Sequence, residues 1–254
     1  MMVVPALQDR VALVTGAGRN IGRAIAVALA AAGARVAVNV RASRAEGQAV
    51  VDEITASGGE ACLLQADVRE RSAVDAMIAA AIARFGRLDI LVNNAAVRRE
   101  GAFADLPYAE WRDAFDVCVD GAFHCTQAAL PWLCRSPSGT VINIGGLTGS
   151  TGAPGRAHVV TAKAALGGLT RALAHELAPF GVTVNCISPG LIDTVRNAAS
   201  ASPRPQHHGR NVPLLGRRGA PAEIAGAVVW LCGSGGRFTT GQTLHINGGA
   251  YLGP

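Results

Sequence analysis

The chain has 254 residues, of which 50% are apolar and 16% are charged, and it contains 31 glycines. This length and composition suit one α/β domain with a single substantial core, and they exclude a disordered or fibrous protein. The formal net charge of +5 comes almost wholly from arginines scattered between Arg10 and Arg237, so we expect no nucleic-acid partner.

The N-terminus and the cysteines indicate the expected compartment. Met1 to Leu7 lacks a basic start followed by a long apolar stretch, and the most apolar predicted helix, Ala24 to Ala32, is followed at once by Gly33. Neither segment is long enough for a signal peptide or a membrane span, so a cytoplasmic protein without membrane association is predicted. None of the six cysteines belongs to a Cys-x-x-Cys pair, so we expect neither disulfides nor a metal site.

Short β-branched runs alternate with longer Ala-rich segments of helical periodicity, which is the pattern of repeated βαβ units. These units predict a doubly wound α/β fold, in which a parallel sheet carries helices on both faces and binds ligands at the carboxyl ends of its strands. The seven predicted strands are Val11 to Thr15, Arg35 to Val40, Ala61 to Gln65, Leu88 to Val92, Thr140 to Ile144, Val182 to Ile187 and Thr243 to Ile246.

A glycine-rich stretch, Thr15 to Gly22, follows the first predicted strand and opens a predicted helix over Ile21 to Ala32. Backbone N–H groups at such a helix start can face a phosphate group, and Gly16 and Gly22 allow a close approach. The pattern therefore predicts a phosphate-binding loop.

A second motif, Gly155 to Leu166, contains Lys163, which is the only lysine in the chain. Together with Thr15 to Gly22, this motif resembles the short-chain dehydrogenase/reductase family. The resemblance extends from Arg10 to about Gly249. It implies a Rossmann-type seven-stranded fold, one dinucleotide-binding domain over residues 1–254 and a small-molecule substrate.

The resemblance also implies an assembly and a substrate lid. It suggests a homotetramer built partly from the predicted long helices around Asp113 to Leu133 and Ala157 to Pro179 and from the C-terminal strand. Between Pro189 and Pro221 the regular pattern dissolves into Ser, Pro, His, Gly and Arg residues. We expect a mobile lid over the site at about 190–215.

The resemblance implies a nicotinamide cofactor. Val40 stands where NAD-preferring relatives carry an acidic residue, and Arg41 and Arg19 could bind a 2′-phosphate. We therefore favour NADP(H), the alternative being that these arginines are simply solvated. Asn20 replaces a glycine of the family, a mild change because Asn tolerates a left-handed backbone and caps helices. The predicted cofactor-binding residues are Gly16, Arg19, Asn20, Ile21, Gly22, Arg41, Asp67, Val68, Asn93, Ala95, Lys163, Pro189, Gly190, Ile192 and Thr194.

Three of the family's four catalytic positions are altered. By local alignment the tyrosine falls at Val159, the serine at Gly146 and the asparagine at Cys118, so only the lysine, Lys163, remains. The first task predicted for Lys163 is to bind a ribose hydroxyl.

The candidate catalytic residues are Lys163, His158 and Thr148. His158 has a suitable pKa for a substitute acid, although neighbouring helix residues point about 100° apart. Thr148 could orient the substrate oxygen or cap its loop. Arg98 and Arg99 could bind a carboxylate, phenolate or enolate, or be a solvated pair.

Two functions compete. The first is an NADPH-dependent reductase that transfers hydride to a carbonyl or to an activated C=C or C=N bond with an altered active site, because hydride donation belongs to the cofactor. The second is a catalytically silent NADP-binding protein that acts as a sensor or structural subunit.

Overall fold

The computed structural model describes residues 6–195, 209 and 211–253. Across these residues seven parallel strands form one sheet in the order β3-β2-β1-β4-β5-β6-β7. The strands are β1 Val11–Val14, β2 Arg35–Val40, β3 Ala61–Gln65, β4 Ile90–Asn93, β5 Thr140–Ile144, β6 Thr183–Pro189 and β7 Thr243–Ile246. The predicted Rossmann-type doubly wound fold is confirmed.

The α-helices of the described residues separate these strands along the chain. They are α1 Asn20–Ala31, α2 Arg44–Ala56, α3 Arg71–Phe85, α4 Tyr108–Phe115, α5 Gly121–Leu133, α6 Thr148–Thr151, α7 Ala157–Leu177 and α8 Pro221–Cys232.

Each face of the sheet carries its own apolar core, because side chains alternate along a strand. In β1, Ala12 and Val14 contribute to the core beneath α1, α2 and α8. Val11 and Leu13 contribute to the opposite core beneath α3, α5 and α7. The central strands β1, β4, β5 and β6 are buried on both faces and are therefore mostly apolar, as is usual for parallel sheets, whereas the edge strands β3 and β7 are only partly buried.

Strands β1, β4 and β6 differ from the predicted bounds by one or two residues at five of their ends. Strand β4 begins at Ile90 rather than Leu88, and the N–H of Val11 is bonded to the Asp89 side chain instead of a backbone carbonyl. Strand β6 continues to Pro189 rather than Ile187, because its last residues pair with β7.

The long helix predicted around Asp113 to Leu133 is instead two helices joined by a π-helical turn, Asp116–Asp120. Such turns are rare and often occur at functional sites. Here the turn buries Cys118 and brings Val117 to the wall of a cleft.

Most of the predicted lid, about 190–215, lies outside the described residues. At its edges, the N–H of Gly219 donates to Leu191 O at 2.9 Å and the N–H of Asp193 donates to Gly219 O at 2.8 Å. The two ends of the segment are therefore held together beside the sheet. Across the described ranges, no helix is both long and apolar enough to cross a bilayer.

Asp89 joins three elements at the amino edge of the sheet. Its fully buried carboxylate accepts hydrogen bonds from Val11 N (2.9 Å), Arg87 Nη2 (2.7 Å) and the Ser136 hydroxyl. Burial alone would raise the pKa of Asp89, but the bonds from Arg87, Ser136 and Val11 outweigh it, and the pKa is lowered. The carboxylate therefore stabilises the fold above its unfolded pKa of about 4, and this contribution is lost as the pH falls further.

We predict that Asp89→Asn lowers the free energy of unfolding at pH 7 by about 2–4 kcal/mol, since it weakens bonds to a buried anion. The difference from the unsubstituted protein should shrink as the pH falls below about 4, because the unfolded Asp89 carboxylate takes up a proton there before the folded one does. Urea unfolding at about pH 7 and at about pH 3.5 measures both effects. Asp75→Asn, at an exposed ion pair with Arg71, is the control and should change stability by less than about 1 kcal/mol. A difference that stays constant with pH would contradict this account of Asp89.

Candidate functional site

A cleft of about 1010 Å³ runs along the carboxyl ends of the strands. Its walls come from the segments that follow β1, β2, β3, β4, β5 and β6, together with α7. This is the edge where doubly wound sheets bind ligands, and the volume is at the upper end of the range for small-molecule sites.

The glycine-rich loop after β1 lies tightly against the start of α1 and the loop after β4. A Cβ at Gly22 would overlap with Gly16 O and with the Asn94 amide. Asn94 Nδ2 donates to Thr15 O at 2.8 Å and to Gly16 O at 3.0 Å, and the Thr15 hydroxyl accepts the N–H of Asn94 and of Ala95. Glycine is therefore required at position 22, and the start of α1 reaches the cleft.

Asn39 also holds this loop, and the sequence analysis missed it. Its Oδ1 accepts the N–H of Gly16 at 3.3 Å, and its Nδ2 donates to Ala66 O at 3.1 Å. Asn39 is buried on β2. A buried polar residue within a strand is the signal that could have indicated it.

Asn93, predicted to bind cofactor, is part of a buried polar ladder below the cleft. Its Nδ2 donates to Asn143 Oδ1 at 2.9 Å and to Thr126 Oγ1 at 3.1 Å, and Asn143 Nδ2 donates to Thr170 Oγ1 at 2.9 Å. Asn93 is not among the residues that line the cleft. Its hydrogen bonds instead join β4 to β5 and α5, and through Asn143 to α7. Ala95, two residues later, does line the cleft.

Asn20 adopts the left-handed backbone expected from its residue type, with φ of 52°. Its side chain does not cap α1. Instead Asn20 Nδ2 donates to Val195 O at 3.0 Å, and Val195 N donates to Asn20 Oδ1 at 2.9 Å. The two bonds join the glycine-rich loop to the segment after β6, and both residues line the cleft.

One end of the cleft lies over the carboxyl ends of β2 and β3. Val40 is buried there, and a Cβ at Gly18 would lie only 3.0 Å from Val40 Cγ1. Arg41 is exposed at the cleft, and Arg19 Nη1 lies 3.9 Å from Glu46 Oε1 in an exposed pair. This end of the cleft therefore presents two guanidinium groups, one of which lies near the Glu46 carboxylate.

Asp67 and Val68 line the cleft near these arginines. Hydrogen bonds from Arg69 lower the pKa of the Asp67 carboxyl. The Asp67 carboxylate lies 2.6 Å from Arg69 Nη2 and also accepts the Arg69 N–H. Asp67 is therefore held as an anion in a fixed position.

Lys163 occupies the other end of the cleft. Its Nζ donates to Ile144 O at 2.5 Å. Burial lowers the pKa of the Lys163 ammonium; the nearby Cys118 and Cys186 oppose this, and the charges of Arg98 and Arg156 add to it.

Val159 and Gly146 line the cleft near Lys163 and supply no hydroxyl group. A Cβ at Gly146 would have Lys163 Cγ as its nearest neighbour, at 3.9 Å. A serine side chain would therefore fit at position 146 without strain.

The two remaining catalytic candidates differ in placement. Thr148 lines the cleft in α6. His158 is 1% exposed, does not line the cleft, and has neither ring nitrogen bonded within the described residues. Burial lowers the pKa of His158, which favours a neutral ring inside the protein over a proton donor to the cleft.

The segment after β6 lines the cleft through Pro189, Gly190, Ile192 and Thr194. A Cβ at Gly190 would lie 2.6 Å from Asn247 Cα, so glycine is required there. The Thr194 hydroxyl is 3.4 Å from Arg98 Nη1. Among the residues that the structure covers, no cluster of three His, Cys, Asp or Glu side chains could hold a metal ion.

We predict that Asn20→Ala destabilises the protein more than Asn20→Gly does. Both substitutions remove the bonds to Val195, but alanine also bears the cost of the left-handed backbone, about 1–2 kcal/mol. Urea unfolding compares the two variants, and amide hydrogen exchange at Val195 should be faster in both. Equal unfolding free energies for the two variants would contradict a left-handed backbone at position 20.

Comparison with known proteins shows the family. A family profile described as Enoyl-(Acyl carrier protein) reductase matches residues 16–251. The chain is 41% identical over 241 residues to 3-oxoacyl-(acyl-carrier-protein) reductase FabG of Staphylococcus aureus strain Mu50, covering 95% of this chain and 98% of that protein.

Two solved structures are similar in fold. A short chain dehydrogenase from Burkholderia cenocepacia J2315 in complex with NADP is 37% identical with a TM-score of 0.89, covering 96% of this chain and 99% of that one. A blue fluorescent protein from a metagenomic library in complex with NADPH is 34% identical with a TM-score of 0.89, covering 97% and 100%. The chain belongs to the short-chain dehydrogenase/reductase family.

Proposed function

We propose that this protein binds NADP(H) and reduces a carbonyl or an activated C=C or C=N bond, with an altered proton donor. The observation that carries the proposal is one continuous cleft with a glycine-rich loop and two arginines at one end and Lys163 at the other. The names of the similar proteins support both parts, since one is a reductase and two were solved with NADP or NADPH.

The residues present fit a phosphorylated dinucleotide. The glycine-dependent contact of Gly22 with Gly16 brings the start of α1 to the cleft, where free N–H groups suit a pyrophosphate. Arg41 and Arg19 suit a 2′-phosphate, and Val40 presents no carboxylate to repel one. Other cleft residues from the predicted set would line the rest of the cofactor: Asp67, Val68, Ala95, Lys163, Pro189, Gly190, Ile192 and Thr194.

The nicotinamide, when bound, supplies the hydride. Lys163 would hold a ribose hydroxyl, and its position is fixed by the bond to Ile144 O. With Val159 and Gly146 on the cleft wall, no hydroxyl from those positions donates a proton to the substrate oxygen. Loss of a positioned acid typically costs on the order of 10²–10⁴ in rate, so substrates that are already polarised and can take a proton from water are favoured.

We predict that Arg41→Gln and Arg19→Gln each weaken NADPH binding by about tenfold, because each removes a charge-assisted bond to phosphate. NADH binding should change little, since NADH lacks the 2′-phosphate. Fluorescence titration with both cofactors measures the difference. Arg71→Gln, an exposed residue of α3 that does not line the cleft, is the matched control; equal losses for NADPH and NADH would argue against a 2′-phosphate site.

We predict turnover with activated acceptors and little turnover with simple ketones. In the presence of the protein, menadione and cyclohexenone should oxidise NADPH faster than cyclohexanone does. The double substitution Val159→Tyr with Gly146→Ser should raise kcat/KM for cyclohexanone by about a hundredfold or more, because it restores the acid and the orienting hydroxyl. Val160→Tyr, at the neighbouring helix position, is the control and should not raise kcat/KM for cyclohexanone.

The silent binding protein is the second candidate, and the aliphatic wall at Val159 and Gly146 favours it. It would bind NADPH with the same arginine dependence but transfer no hydride to any acceptor in the panel. NADPH binding without turnover would therefore select this alternative. The homotetramer expected from the family stays a prediction.

A further inference from the structure

The reaction end of the cleft is rich in cations. Arg98 and Arg99 follow β4, Arg156 precedes α7, and all three line the cleft together with Lys163. Two carboxylates, Glu100 and Glu110, line it with them. Cations therefore outnumber carboxylates on this part of the wall.

The arginines differ in their partners. Arg99 lies 3.4 Å from Asp113 and 4.0 Å from Glu110, and it is half exposed. Arg156 has only 13% of its side chain exposed, and its Nε lies 3.9 Å from Glu100 Oε1.

Arg98 connects this cluster to the segment after β6. Its Nη1 lies 3.4 Å from the Thr194 hydroxyl on the opposite wall. Arg98, Arg156 and Lys163 line the same cleft, and the charges of both arginines lower the pKa of Lys163. The neighbouring wall at Val159 and Gly146 is apolar.

A cleft that brings guanidinium groups together beside an apolar wall suits a particular ligand. Guanidinium presents planar, paired N–H donors that match the two oxygens of a carboxylate. The apolar wall suits the carbon skeleton attached to it. A hydroxyl-dependent site for a neutral ketone would place its donors where this chain has Val159 and Gly146.

We propose that Arg98 and Arg156 bind the carboxylate of a small organic acid, which is the substrate class of this site. Calling the acid a substrate rests on the proposed reductase function. The anion site itself does not, since its binding can be tested without turnover. Arg98 and Arg156 are specificity-determining residues in this assignment. They hold the acid beside Lys163.

Benzoate and benzamide test the assignment, because they have nearly the same shape and differ in charge. Calorimetry in the presence of saturating NADPH and about 0.15 M salt, where long-range attraction is screened, should show benzoate binding at least tenfold more tightly than benzamide. Arg98→Gln and Arg156→Gln should each weaken benzoate binding by about tenfold, the usual effect of losing a charge-assisted bond. Benzamide binding should be unchanged.

Two further variants keep the result interpretable. Arg156→Lys retains the charge at a largely buried position and should recover part of the benzoate affinity, which separates loss of charge from loss of fold. Arg71→Gln, exposed on α3, should bind benzoate like the unsubstituted protein. Equal affinity for benzoate and benzamide, or loss of benzoate binding in Arg71→Gln as well, would overturn the proposal.

The outcome also separates this inference from the proposed function. NADPH binding without a preference for benzoate rejects the carboxylate site and leaves the cofactor site standing. If the protein fails to bind NADPH, the titration is run without it. Arginine-dependent benzoate binding would then support the anion site while the reductase proposal fails.

Discussion

Helix α1 begins close against the loop after β1, and the geometry of the cleft depends on that contact. A side chain at Gly22 would overlap with the Gly16 carbonyl and the Asn94 amide, which itself fixes that carbonyl. The loop is also held from β2 by Asn39. Because backbone groups at this joint are bonded to two neighbouring strands, the N–H groups at the start of α1 face the cleft in a fixed direction.

The positively charged groups at the two ends of the cleft differ in their exposure to solvent. Around Arg41 and Arg19 the guanidinium groups are exposed, so their interaction with an anion is weakened by salt and solvent. Around Lys163 and Arg156 the cations are largely enclosed. Burial lowers the pKa of Lys163, and the charges of Arg98 and Arg156 add to this effect, since charges in such an environment act strongly on each other and on a bound molecule.

The wall beside Lys163 carries no hydroxyl group at Val159 or Gly146, while the fold around it is that of the family. Gly146 leaves open space next to Lys163, and Val159 extends an aliphatic surface into the cleft. Lys163 keeps its place through a backbone carbonyl on β5, so its position does not depend on a tyrosine. The contacts that fix the glycine-rich loop and the contact that fixes Lys163 are therefore separate.

The sequence by itself determined the fold class, most strand boundaries, the close approach at Gly22 and the left-handed backbone at Asn20, because periodicity, glycine and asparagine act through local sterics. Only the tertiary structure decided what those residues meet. The partner of Asn20 is Val195, 175 positions away, and β6 is lengthened by its neighbour β7. His158 is directed into the protein, away from the cleft, because the packing of α7, which no local pattern encodes, sets which of its faces is buried.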